Sequence, residues 1–252
     1  MISQIYSKFV FYTCVLCNSY SKDFVQIIEH PKSGGTWIAR MLSHYFKIPF
    51  FSEAVWMNKR GIVRLHAKSQ YSFRPINQIY ILRDGRDVLT SYYFHLFYRL
   101  KIPHMRSFNE ISQVKQNFPK YLEMYFKNEL GNKIIWQNHV DYWIPRVKCF
   151  LRYEDMLRDP YNTLTKAIAV LNGSEEFNET LLKQSIDTYD FKKLAGRNRG
   201  QENQDSFFRK GVSGDWRNYF NYESATIFDR YAGDKLIQLG YESDRSWVTR
   251  FQ

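Results

Sequence analysis

The sequence predicts a single α/β domain with a central parallel sheet flanked by helices. Three observations predict it. Short apolar runs of strand length alternate with stretches of helical period. Most of these strand runs end in a polar turn that opens a helix. The chain has 252 residues, 44% of them hydrophobic and 24% charged, which suffices for one domain with a sizeable core and is short for two. The division this suggests is an N-terminal segment over residues 1–22 and one domain over residues 23–252.

The elements follow in chain order. Phe24-Val25-Gln26-Ile27-Ile28-Glu29 reads as the first strand, and His30-Pro31-Lys32-Ser33-Gly34-Gly35 as a glycine-bearing turn. A helix follows from about Thr36 to Phe46, with Trp37, Met41, Leu42 and Tyr45 on one face. Gly61 to His66 and Gln78 to Leu82 read as two further strands, the second followed by Arg83-Asp84-Gly85-Arg86-Asp87 and a helix from about Val88 to Tyr98. Trp136, His139, Val140 and Trp143 share one helix face by their i, i+3, i+4, i+7 spacing. Val147 to Arg152 is a strand leading into Tyr153-Glu154-Asp155 and a helix near Tyr161 to Leu171. Ala195 to Val212 is rich in Gly, Arg, Asn, Gln and Ser, and reads as a long loop of the kind that serves as a lid or binding loop. Two helices close the chain, the clearer from about Tyr222 to Leu239. In such folds ligands sit beyond the carboxyl ends of the strands, so the turns at 30–36, 66–70, 83–87 and 152–155 are expected to converge on one site.

Composition narrows the function. Lys+Arg number 36 and Asp+Glu 25, a net charge of +11, which favours an anionic partner such as a polyphosphate, an acidic glycan or a membrane face. The basic residues are dispersed without a run of five or six, which argues against nucleic acid. Aromatic residues make up 18% of the chain; they suit an aromatic-lined pocket, although most rings belong in a core. Cys14, Cys17 and Cys149 are too few and odd in number for a disulfide framework and fit a reducing compartment, hence the cytoplasm. Cys14 and Cys17 are formally CxxC, but with no second pair and no histidine cluster nearby they do not read as a zinc site. The apolar run from Phe9 to Cys17 is too short to span a bilayer, which takes about 20 apolar residues. It reads as a short helix that packs on the domain or lies on a membrane surface.

Pro31-Lys32-Ser33-Gly34-Gly35-Thr36-Trp37 is the strongest chemical signal. A strand-to-helix turn with two glycines presents backbone N–H groups, and the helix N-terminus adds positive dipole. Lys32 supplies a charge, and Ser33 and Thr36 supply hydroxyls. The same residues also suit an ordinary capped turn. Lys32 precedes the glycines and no Gly-Lys-Ser/Thr follows, so this is not the Walker A order and a nucleotide kinase is disfavoured.

The order Pro-Lys-Ser-Gly-x-Thr-Trp resembles the 5′-phosphosulfate loop of sulfotransferases that use 3′-phosphoadenosine-5′-phosphosulfate (PAPS). Arg83 to Ser91 resembles that family's 3′-phosphate segment, in which an Arg and a Ser eight residues later hold the phosphate; Arg83 and Ser91 match them. An Arg at a strand end offers a phosphate a bidentate fork, and Ser91 would stand one turn into the helix. The alternative is an Arg–Asp loop network. Phe208-Arg209-Lys210-Gly211-Val212-Ser213-Gly214-Asp215-Trp216 resembles the family's RKGxxGDW signature, with Arg209, Lys210 and Gly211 at the 3′-phosphate. Trp136 to Trp143 resembles its WxxHVxxW helix, where His139 reads as structural. Leu151 to Met156 resembles its YEDM strand end, where Tyr153 would contact the adenine. Phe191 and Trp37 would pack on the base, Trp37 being equally suited to a core.

The resemblance runs from residue 31 to 216 in the family's order and implies a P-loop-like fold, PAPS as sulfuryl donor, 3′,5′-ADP as product, and no metal. Arg64-Leu65-His66-Ala67-Lys68 stands where the family has KTHxP, keeping the basic residue and the histidine. His66 is therefore the candidate general base and Lys32 the group that meets charge on the leaving oxygen; a strand-end histidine capping a carbonyl is the alternative for His66. The stretch from Lys32 to His66 is short for the cytosolic small-molecule enzymes, Gly35 stands where they often carry Thr, and no KTVxxxE dimerisation motif is visible near the C-terminus. These departures bear on the acceptor (a glycan, lipid or small molecule) and on the oligomeric state rather than on the donor. Two rival classes are a P-loop kinase and a non-enzymatic module that binds anionic glycan or lipid.

Overall fold

The computed structural model describes residues 24–51, 61–66, 77–100, 113–131 and 134–252. The N-terminal run with Cys14 and Cys17, the turn residues 67–70 with Ala67 and Lys68, and His104 lie outside the described residues. The chain divides into two units. The first comprises the described residues up to Leu82 together with Asp141–Leu194, the second those of Arg83–Val140 and Ala195–Gln252.

The first unit holds the sheet. Its strands are β1 (Phe24–Glu29), β2 (Phe50–Phe51), β3 (Gly61–Leu65), β4 (Asn77–Leu82) and β5 (Cys149–Arg152). Their order is β2-β3-β1-β4-β5, and every neighbouring pair is parallel. This is the α/β architecture that the alternating pattern predicts. Every residue of β1 and β4 is buried, which is why these strands read as near-continuous apolar runs. The exception is a polar rung: Gln78 Nε2 donates to Gln26 Oε1 at 3.0 Å, and the two residues are paired in register. Helix α1 (Gly35–Phe46) packs on β1 and β3. Its buried face includes Trp37, Met41, Leu42 and Tyr45, as the period predicts.

The second unit contains α2 (Gly85–Phe94), which continues as a π-helical turn over His95–Arg99, then α3 (Val114–Phe126). Helix α4 (Trp136–Trp143) crosses from this unit into the first; Trp136, His139, Val140 and Trp143 are all buried, so the one-face spacing is realised. Along Asp141–Leu194, within the first unit, run α5 (Tyr153–Arg158), α6 (Pro160–Asn172) and α7 (Glu179–Thr188). A short α8 (Phe191–Ala195) follows, then α9 (Tyr222–Gln238) in the second unit. The segment between α8 and the 3-10 turn at Asp215–Asn218 has no helix or strand, as the loop reading of 195–212 expects.

Most of the aromatic residues of the second unit are core. Tyr93, Phe97, Phe118, Tyr121, Phe220, Phe228, Trp216 and Trp247 are all buried and meet largely edge to face, the arrangement ring quadrupoles favour. Within this core sits the guanidinium of Arg86. Arg86 Cζ lies 3.9 Å from the Trp216 ring centroid and 4.8 Å from that of Trp247. Its Nη2 is 2.7 Å from Asp84 and its Nη1 2.5 Å from Glu242.

Arg86→Ala leaves Asp84 buried without its cation and Glu242 with Arg250 alone; breaking a buried pair in this way typically costs about 3–5 kcal/mol. Urea unfolding of the variant is expected to show a loss of that size. A loss under about 1 kcal/mol would mean that the guanidinium is not the linchpin of this core.

Candidate active site

The site begins where β1 ends. The chain must pass from a buried strand into a helix within five residues, and it does so through left-handed backbone at Lys32 (φ 77°) and Gly34 (φ 97°). Gly34 is also the N-cap of α1. At Gly34 the conformation suits glycine. A Cβ there would stand 2.6 Å from the Tyr153 ring, so the ring packs directly on the loop backbone. At Lys32 the same region costs a side-chain-bearing residue about 1–2 kcal/mol. Ser33 is buried and donates its N–H to the His30 carbonyl at 3.2 Å, closing the turn.

Glu29, the last residue of β1, is buried, and it is bonded in two ways. Its carboxylate accepts the Gly35 N–H at 2.5 Å and lies 3.8 Å from Arg64 Nε. Its carbonyl is 3.0 Å from His66 Nδ1. Arg64 Nη1 in turn donates to Thr36 Oγ1. A Cβ on Gly35 would stand 2.5 Å from the Glu29 carboxyl carbon, so glycine at 35, where the resembling enzymes often carry Thr, is required by the carboxylate that fills this space. Register explains why these groups meet: Ile28 pairs with Leu65, which sets His66 beside Glu29.

The carbonyl of Glu29 can only accept, so His66 Nδ1 carries the proton and Nε2 keeps its lone pair. Burial pushes the His66 pKa down to about 4, with Arg64 and Lys32 adding to the effect against the hydrogen bond to Glu29. The imidazole is neutral at pH 7, as a general base must be.

Trp37 contributes its indole N–H to the Tyr189 carbonyl at 2.7 Å and sits edge-on to Tyr153 at 6.1 Å. It is part of the hydrophobic core of this unit. Tyr153 opens α5 and Phe191 opens α8; both are buried.

In the second unit, Arg83, Arg209 and Lys210 are arranged by carboxylates and carbonyls. Arg83 Nη2 donates to the Val212 carbonyl at 3.1 Å and lies 4.0 Å from Asp87. Asp87 accepts the N–H groups of Gly214 (2.6 Å) and Trp216 (3.1 Å), so it ties the start of α2 to the Gly-Asp-Trp turn. Burial pushes its carboxyl above the usual range, against the pull of Arg83 and these two N–H groups. Arg209 is held by Asp215 and Glu202 over the face of Phe94, and Lys210 Nζ is 2.6 Å from Asp215. Gly211 has φ 68°. Ser91 stands nearly two turns into α2, further than expected, because the helix starts at Gly85 rather than Val88. The loop preceding Arg209 is latched to it: Gly200 and Asn203 donate N–H groups to the carbonyls of Lys210 and Arg209.

The expected residues thus fall in two groups. Lys32 to Trp37, His66 and Tyr153 surround the end of β1 in the first unit. In the second, Arg83 lies beside Asp87, and Arg209 and Lys210 pair with Asp215, with Gly211 next in the chain. The Arg–Asp loop network of the sequence reading also exists: Arg86 pairs with Asp84, and Arg83 lies 4.0 Å from Asp87. Glu29, Glu202 and Asp215 are the site residues that sequence reasoning missed. The signal for Glu29 was a carboxylate ending a largely apolar strand. Both groups suit an anionic nucleotide. The first has no room for a Cβ at Gly34, where the Tyr153 ring lies against bare loop backbone. In the second, Arg209 Nε is buried without a hydrogen-bond partner among the described residues.

A parallel sheet with a glycine turn after its central strand, and clustered cations held by carboxylates, defines an α/β protein for anionic ligands. The comparisons specify which one. The Sulfotransferase domain family model matches residues 66–240, and the chain belongs to that family. Sulfotransferase 2A1 of Macaca fascicularis is 26% identical, covering 86% of both chains. Flavonol 3-sulfotransferase of Flaveria bidentis is 27% identical over 86% of this chain and 82% of its own. Among solved structures, mouse sulfotransferase SULT7A1 complexed with PAP has TM-score 0.65 at 20% identity, covering 98% of this chain and 95% of that one. Retinol dehydratase in complex with androsterone and PAP has TM-score 0.63 at 16% identity, covering 90% and 85%. These folds agree with the P-loop-like expectation. The protein is an enzyme that transfers a sulfuryl group, which sets aside the kinase and the non-enzymatic module.

His66 stays neutral in the folded chain down to about pH 4, whereas in the unfolded chain it protonates near 6.5. Its folded value is the lower one, so the unfolded state binds more protons between these values. The associated stability is present in full above about pH 6.5 and is lost as the pH falls towards 4, by at most about 3 kcal/mol. Urea unfolding at pH 7.5 and 4.5 is expected to show a larger drop for the wild type than for His66→Gln. Equal drops would contradict the shifted histidine.

Proposed function

We propose that residues 31–37 hold the 5′-phosphosulfate of PAPS, that Arg83, Ser91, Arg209, Lys210 and Gly211 hold its 3′-phosphate, and that His66 is the general base. PAPS is the sulfuryl donor and 3′,5′-ADP the product. Tyr153, Trp37 and Phe191 are assigned to the adenine. The observation that carries the reading is His66: a neutral imidazole whose Nδ1–H is fixed on the Glu29 carbonyl, so that Nε2 keeps its lone pair, with the charges of Arg64 and Lys32 acting on the ring.

The roles of the chain's own groups follow. Nε2 of His66 takes the proton of the acceptor hydroxyl or amine. The acceptor atom bonds to sulfur as the bond from sulfur to the 5′-phosphate oxygen breaks. Lys32 meets the charge appearing on that leaving oxygen, an interaction stronger in the transition state than before it. The Arg83 and Arg209 guanidiniums bind and orient, holding the nucleotide at the phosphate remote from the reacting bond.

The acceptor is read as a hydroxyl or amine of a glycan, lipid or small molecule; the relatives include enzymes named for a flavonol and for an amine. The low, odd cysteine count supports a cytoplasmic location, and the apolar run Phe9 to Cys17 supports contact with a membrane surface. No helix among the described residues is long and apolar enough to cross a membrane.

His66→Ala is expected to lower turnover by about 10²–10⁴ on whichever of a phenol, a flavonol, a sterol and an alkylamine the wild type sulfonates. It should leave nucleotide binding intact: 3′,5′-ADP at about 100 Kd should stabilise both proteins by roughly 2.7 kcal/mol, and 5′-ADP far less. Activity within a few-fold of wild type would remove His66 from the role. Equal shifts from the two nucleotides would remove the 3′-phosphate assignment.

A further inference from the structure

Glu29 is out of keeping with a loop that receives a phosphate. It places a buried carboxylate on the first amide of α1, the part of a helix where an anionic ligand is best stabilised. It also faces Arg64, the cation nearest that amide along the neighbouring strand. Gly35 has no side chain because the carboxylate fills the space one would need. The loop therefore already contains an anion of its own, bonded by the N–H and facing the guanidinium that an incoming 5′-phosphate would otherwise meet.

We propose that Glu29 is an affinity-setting residue, a resident anion that opposes the 5′-phosphate of the nucleotide and keeps both donor and product from binding too tightly. The inference rests on the reading of residues 31–37 as the 5′-phosphosulfate loop. Two like charges within a few ångströms in partly buried surroundings repel enough to change affinity on the order of ten-fold or more. A carboxamide at position 29 still offers an oxygen to the Gly35 N–H, so the loop keeps its shape while the charge is removed.

The test is calorimetric titration of 3′,5′-ADP into wild type and Glu29→Gln, with adenosine 3′-monophosphate as the control that lacks the 5′-phosphate. Glu29→Gln is expected to bind 3′,5′-ADP about ten-fold more tightly and the control unchanged. Glu29→Ala combined with Gly35→Thr removes the charge and refills the space by another route, and should tighten binding in the same direction if the single variant does not fold. A folded variant that binds 3′,5′-ADP no more tightly than wild type overturns the inference, as does an equal gain for the control, which would reflect overall charge. Wild type that fails to bind 3′,5′-ADP overturns the phosphosulfate-loop reading itself, and the role of Glu29 with it.

Discussion

The carboxyl end of β1 is where the first unit's chemistry is fixed, and one residue does most of the fixing. The main chain of Glu29 holds His66 in one tautomer, and its side chain holds the first amide of α1 and faces Arg64. The parallel register of β1 with β3 is the precondition: a slip of one residue would turn every side chain to the other face and take His66 from the Glu29 carbonyl. The His66 imidazole, the helix N-terminus and a cation are thereby referred to one rigid strand end. Preorganisation of this kind costs nothing at the moment of reaction.

The second unit solves the parallel problem with buried charge. Asp87 ties two amides of the 214–216 turn to the start of α2, and Arg86 fills the space between two tryptophans while pairing with two carboxylates. Neither residue is proposed to touch a substrate. They hold the 214–216 turn that follows Arg209 and Lys210 in the chain, two long side chains with much rotational freedom to lose. Asp215 and Glu202 then fix the guanidinium and the ammonium where backbone alone would leave them free to move.

Much of this was legible in the sequence, and the reasons for the rest are physical. β1 is bounded as read because it is buried throughout and ends in a turn with proline and glycine. Helix α2 starts three residues earlier than its apolar period suggests. Asp84 caps it by accepting the Arg86 N–H, and Gly85, which reads as a turn, is glycine because the Trp136 ring lies where its Cβ would be. Helix α3 escaped notice because Pro119 lies inside it. Proline removes the bond to the carbonyl four residues back, and here the freed carbonyl of Lys115 accepts from Asn221 instead, a partner far away in sequence. The turn at residues 31–37 was legible as a candidate anion loop because glycine, lysine and hydroxyl residues in a fixed order carry chemistry locally. Glu29 was not, because its role depends on Arg64 and His66, which only the sheet register brings to it.

The central claim is that the chain moves a sulfuryl group rather than a phosphoryl group. Radiosulfur-labelled PAPS and, separately, radiophosphorus-labelled ATP with magnesium can be offered to the protein with the same panel of hydroxyl and amine acceptors. The account predicts label transfer from PAPS to an acceptor with one equivalent of 3′,5′-ADP released per transfer, and none from ATP. Transfer from ATP, with PAPS inert, would contradict it.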